Sequence, residues 1–108
     1  MTTAIFNKLV LSAATETPVG TIPSALVFAT VTVNILNTAN TPASINLAIV
    51  DGSGTPVPAD YIDKGTIVPA NGGVALRSCI LVPAGSTIFA TSDQAGTVVN
   101  VSGLGQEA

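Results

Sequence analysis

Residues 31 to 54 read VTVNILNTANTPASINLAIVDGSG: two stretches in which apolar and small polar side chains alternate, parted by one break and closed by another. Alternation of period two places one set of side chains on each face of an extended strand, and it does not fit a helix, whose apolar stripe recurs every three to four residues. In 30 to 36, Val31, Val33 and Ile35 share a face while Thr30, Thr32 and Asn34 share the other. In 44 to 50, Ile45, Leu47 and Ile49 oppose Ser44, Asn46 and Ala48. The break supplies Asn37 and Asn40, which tolerate left-handed backbone, and Pro42, which forfeits no ladder hydrogen bond at the start of a strand. The spacing predicts an antiparallel hairpin with a long loop. Its outward side is Thr, Ser and Asn.

The same grammar runs through the chain. Apolar or alternating runs occupy 4 to 13, 26 to 36, 44 to 50, 61 to 68, 74 to 82, 86 to 91 and 97 to 104, separated by TPVGTIPS, NTANTP, DGSGTPVP, PANGG, PAG and DQAG. Short strands punctuated this way predict an all-β protein, an antiparallel β-sandwich of about seven to eight strands, immunoglobulin-like or jelly-roll-like. Residues 26–108 form the sandwich domain. Residues 1–25 supply a first strand or an arm, with Pro18 and Pro23 keeping the stretch after IFNKLVLSAA irregular. The expected core is Val31, Val33, Ile35, Ile45, Leu47, Ile49, Leu76, Ile80 and Val99.

At 108 residues the chain has the size of one domain. Only 8% of its residues are charged while 47% are hydrophobic, against roughly 25% charged in ordinary soluble domains. Strand edges are commonly guarded by charge, especially Lys, and this chain has three basic residues, Lys8, Lys64 and Arg77. Few charges and unguarded edges point to assembly with copies of itself or with other proteins. Three cations against a net charge of −3 exclude a phosphate-binding track, so no nucleic-acid partner is expected. Asn, Thr, Gly and Pro interrupt every apolar run well short of the ~20 residues of a membrane span, so no membrane is expected either. Lys8 falls among apolar residues instead of before them, which does not fit a secretory signal and implies a protein made inside the cell.

Few residues of this chain carry reactive chemistry. The chain has no His, which removes Ser-His-Asp and Cys-His arrangements and imidazole metal ligands. Asp51, Asp60, Asp63 and Asp93 fall in or beside turns, where Asp is a favoured residue. DGSGTPVPAD, 51 to 60, has the small residues of a calcium loop but lacks its alternate oxygen ligands and closing Glu. SGLGQ, 102 to 106, has a Gly-x-Gly but no helix to follow it. Asn100-Val-Ser102 matches a glycosylation acceptor without a secretory signal. Phe6, Phe28, Tyr61 and Phe89 are dispersed, giving no stacking platform, and core packing is their expected role. Cys79, in VALRSCILV, reads as a buried core cysteine, with Arg77 projecting from the same strand face. No catalytic, cofactor-binding or metal-binding residue emerges, and the chain does not read as an enzyme.

From residue 30 to 105, the order of parts resembles a β-sandwich module of tailed-phage virion proteins, notably those of cyanophages. The shared features are a strand ending in Asn, a Thr-Pro connection, Asp-Tyr-Ile, a Pro-Ala-Asn-Gly turn, Leu-x-Pro-Ala-Gly, and a last strand of alternating Val reaching a Gly. The first 25 residues depart from the pattern. The resemblance implies a virion structural protein made in the host cytoplasm, without catalytic residues or cofactor. A capsid decoration or cement protein on the major capsid protein lattice is the first reading, and a tail, neck or fibre-associated virion protein the second. A carbohydrate-binding module is a reading of another class, opposed by the absence of Trp. Lattice symmetry favours a homotrimer that contacts the major capsid protein or other virion proteins. Its interface would draw on Ile5, Phe6, Leu9, Leu11, Thr30, Thr32 and Asn46.

Overall fold

A computed structural model describes residues 2–52 and 54–107. Eight strands follow in order: β1 (Thr2–Leu11), β2 (Thr17–Thr21), β3 (Leu26–Asn37), β4 (Ala43–Val50), β5 (Tyr61–Val68), β6 (Gly73–Pro83), β7 (Thr87–Ser92) and β8 (Thr97–Glu107), with one 3₁₀ turn at Pro58–Asp60. They form two four-stranded antiparallel sheets, A in the order β1-β8-β3-β6 and B in the order β2-β7-β4-β5.

The pairing has a simple rule. β1 pairs with β8, β2 with β7, β3 with β6 and β4 with β5, and successive pairs fall in alternate sheets. This is one long antiparallel ribbon, doubled back at the β4–β5 connection and wrapped into a sandwich. Eight strands in two such sheets make a jelly roll; an immunoglobulin sandwich divides its strands differently, four against three or more, with another order. Of the two sandwich types expected from sequence, the topology selects the jelly roll.

Two local expectations fail. β3 and β4 do not form a hairpin, because β3 lies in sheet A between β8 and β6 and β4 lies in sheet B between β7 and β5. Residues 38–42 therefore cross from one sheet to the other. Neither Asn37 nor Asn40 has a positive φ; among non-glycine residues that conformation belongs to Ala14, Asn71 and Cys79. Asn37 instead works through its amide, which donates to the carbonyls of Thr41 (2.8 Å) and Val68 (3.2 Å) and accepts from the Ala39 N–H (3.0 Å). It shapes the crossing and ties it to the end of β5. The second failure is β2, read as irregular. Pro18 is accommodated there because β2 is a short edge strand whose register shifts between Pro18 and Gly20.

The core between the sheets contains Val31, Val33, Ile35, Ile45, Leu47 and Val99, as alternation predicts, and also Leu11, Val19, Ile22, Leu26, Val68, Val82, Ile88 and Val101. Ile49 and Ile80 are partly buried against it. Leu76 is on the outside, and the reason is a bulge. Val31 pairs with Ile80 and Val33 with Arg77, so Ser78 and Cys79 together face Thr32. One extra residue reverses the alternation of a strand. Val82 and Ile80 point inward above the bulge, while Leu76 and Val74 point outward below it. Cys79 sits at the bulge with φ 58° and is exposed, not buried in the core. Arg77, turned inward, meets Asp63, which lies within β5 and is nearly buried instead of sitting in a turn. The guanidinium donates from Nη2 to Oδ1 (2.7 Å) and from Nε to Oδ2 (2.8 Å), and the Thr66 hydroxyl also donates to Oδ1 (3.0 Å). β5 and β6 are the free edges of opposite sheets on the same side, so this bidentate pair closes that side of the sandwich.

The Gly-x-Gly of β8 has a packing role. Gly103 lies where β3 passes close by, and a Cβ there would collide with the Thr30 carbonyl; at Gly105 it would run into the Leu26 side chain.

Candidate interaction surface

Directly opposed residues in an antiparallel sheet share a face, so the registers define the outer surface of sheet A row by row. One row is Val10, Val98, Leu36 and Val74; the next is Lys8, Asn100, Asn34 and Leu76. Then come Phe6, Ser102 and Thr32 opposite the bulge, and after them Ala4, Leu104, Thr30 and Leu81. Phe28 and Pro83 extend the far end. Phe6 (67% exposed), Leu81 (66%) and Leu104 (58%) stand in solvent, and Val10, Val74, Leu76 and Phe28 are also exposed. The two ends of the face are apolar and its middle is Asn, Ser and Thr. Asn34 and Asn100, opposite each other, make no side-chain hydrogen bond among the described residues. Lys8 is the only charged residue in these rows, with its ammonium 5.8 Å from the Phe6 ring.

The outer surface of sheet B is built differently. Its rows include Ser44 with Ile67; Thr91, Asn46 and Lys64; and Phe89, Ala48 and Tyr61. Here the polar groups engage one another. Asn46 Oδ1 accepts from the Gly65 N–H (2.8 Å), Asp93 Oδ1 accepts from the Ser44 N–H (2.8 Å), and Lys64 lies 4.1 Å from the Tyr61 ring. The Tyr61 hydroxyl donates to Glu16 Oε2 (3.2 Å). Desolvation raises the Tyr61 pKa above its ordinary 10.0, with the hydrogen bond and the charge of Glu16 adding to the effect.

The interface residues expected from sequence divide among three places. Phe6, Thr30 and Thr32 lie together on the outer face of sheet A, and Asn46 lies on the outer face of sheet B. Leu11 is in the core, with Ile5 and Leu9 packed against it. Sequence reasoning did not single out Leu76, Leu81 and Leu104 as surface residues, because a Leu in an alternating run reads as core. Tyr61 is half-buried, and its hydroxyl has a partner in Glu16.

The described residues form no pocket, and no three of their His, Cys, Asp or Glu side chains come together as metal ligands. Ser53, within the stretch weighed as a calcium loop, lies outside the described residues. Among the described residues, no helix is long and apolar enough to cross a membrane.

No family model matches the chain, and no curated protein matches it. Among solved structures it is similar to a chain of the cyanophage Pam1 capsid asymmetric unit, at 14% identity and a TM-score of 0.48 over 97% of this chain and 84% of that one. It is also similar to the coat protein in a dimer structure from tobacco streak virus, at 12% identity and a TM-score of 0.37 over 97% and 86%. Both scores are too low for a fold to follow from superposition, and the jelly roll rests on strand order alone.

Proposed function

We propose that this chain is a virion structural protein, and that it decorates a capsid by laying the outer face of sheet A against the major capsid protein lattice. The observation that carries the reading is that face: seven large apolar side chains exposed on one sheet with a single charge among them. Large apolar side chains gathered in solvent on one face of a domain mark a protein contact. The resemblance of residues 30 to 105 to virion modules of tailed phages supports the same reading.

The mechanism follows from size. Four strands of about ten residues, at ~3.3 Å per residue and ~4.8 Å between strands, present about 600 Å². A standard interface buries about 800 Å² per partner. One copy on its own binds weakly. A decoration protein acts through number, because many small contacts bridging adjacent capsomers sum over the shell and resist its expansion.

Quantitative mass spectrometry of purified particles, counting this chain against the major capsid protein, tests the role. We expect hundreds of copies per particle; tens would assign it to a tail or neck, and none would end the proposal. Chelator should leave both the melting temperature and the particle occupancy unchanged, since the reading assigns no work to a metal.

A further inference from the structure

Three of the four sheet edges are interrupted. β2 is five residues long, carries Pro18 and shifts register; β5 shifts register twice along β4; β6 has the bulge at Ser78 and Cys79. Short strands, prolines and bulges are among the devices by which proteins keep sheet edges from pairing with other chains, as is charge. β1 has none of the first three, and its one charged residue is Lys8. It is an edge strand paired without a break from Thr2 to Leu11 along β8, with no Pro and no Gly; no strand of sheet A lies beyond it, and β2 of sheet B is tied to it where the Asn7 amide donates to the Val19 carbonyl (2.6 Å).

We propose that β1 pairs antiparallel with β1 of a second copy, about a two-fold axis at Asn7, joining two A sheets into one continuous sheet. The residues of β1 choose this occupant and this register. Centred on Asn7, the pairing sets Phe6 opposite the partner's Lys8, Ala4 opposite the partner's Val10, and Ile5 opposite the partner's Leu9. Each cation then meets an aromatic face, a pairing already present within one strand. Centring on Lys8 would oppose two like charges, which destabilises a cross-strand pair. A shift by one residue would put the outer apolar face of one copy on the core side of the other. A two-fold contact of this kind closes on itself and leaves no free β1 edge to propagate a filament. The inference stands on the edge of β1 and not on the decoration role, so either can fail without the other.

The test is sedimentation equilibrium of the full chain in a Cys79→Ser background, which removes disulfide dimers. We expect a species of twice the 10.7 kDa chain mass. Phe6→Lys sets lysine against lysine at both symmetric positions and should weaken the dimer about tenfold, and adding Lys8→Glu should restore affinity to within about threefold by creating two opposite-charge pairs. Phe6 is exposed, so both variants should fold, and circular dichroism checks that they do. A monomer at ~100 μM, where even a modest interface would associate, overturns the proposal. So does a trimer, a dimer indifferent to Phe6→Lys, or a double variant that fails to recover.

Discussion

The two outer faces of this sandwich come from the same alternation and the same residue palette, yet they differ in what their polar groups do. On sheet B, Asn46 is bonded to Gly65, Lys64 covers Tyr61, and Tyr61 reaches Glu16. On sheet A, Asn34 and Asn100 face each other without side-chain hydrogen bonds among the described residues, on a face that also holds Phe6, Leu81 and Leu104 in solvent. A face whose polar groups satisfy one another is finished. A face of bare leucines gains when a partner covers it, and its unengaged amides are left for that partner to bond, since an amide buried without a hydrogen bond costs free energy. Strand composition alone does not separate the two faces; the engagement of their polar groups does.

Stability separates the buried core from the outer face of sheet A. Leu47 is fully buried between the sheets, so Leu47→Ala should cost about 2–5 kcal/mol in denaturant unfolding. Leu104→Ala, on the outer face of sheet A, should stay within about 0.5 kcal/mol. A large loss at Leu104 would mean that the face is structural, not spare. Next in size is the weld between the free edges of β5 and β6. Arg77→Met leaves the nearly buried Asp63 carboxylate without its cation; because Arg77 is 38% exposed and water screens the pair, we expect about 1–2 kcal/mol instead of the 3–5 of a fully buried bridge. An unchanged midpoint would show that solvent serves Asp63 equally well.

The asparagines give a direct contrast between the faces. Asn46→Ala removes the acceptor of the Gly65 N–H and should cost about 1 kcal/mol, while Asn34→Ala should cost about 0.5 kcal/mol or less. Equal losses would erase the distinction. The smallest effect is at Tyr61. Its pKa is raised in the fold, so the neutral phenol is the form the fold favours. That contribution is present below about pH 10 and is lost as pH rises through the raised folded value. Tyr61 is the only Tyr and there is no Trp, so the ultraviolet phenolate titration reads this one group. Glu16→Gln should lower its midpoint toward the ordinary value; an unmoved midpoint would remove Glu16 from the cause.

Much of the strand content was legible from sequence because period-two alternation is a local property. Val31, Val33 and Ile35 lie where their parity places them. What was not legible is which strand lies beside which. Of all pairings only β4 with β5 joins consecutive strands, and every other one is set by packing between distant segments, so the β3–β4 hairpin was a natural but wrong inference. The bulge was equally silent. Val74, Leu76, Ile80 and Val82 share one parity, and nothing in VALRSCILV announces that the residue pair Ser78–Cys79 will reverse it. That reversal exposes Leu76 and Cys79 and turns Arg77 inward. The outer face of sheet A was therefore only half visible: Phe6, Thr30 and Thr32, expected at an interface, do lie on it, whereas Leu76, Leu81 and Leu104 needed the register.

Hydroxyl-radical footprinting of the protein bound to purified particles, compared with the free protein, tests the proposed docking face most directly. Phe6, Leu81 and Leu104 on sheet A and Tyr61 and Ile67 on sheet B report on the two faces in one experiment. We expect strong protection of Phe6, Leu81 and Leu104 on the particle, with Tyr61 and Ile67 as reactive as in solution. Protection of Tyr61 and Ile67 with Leu81 and Leu104 still reactive would contradict it.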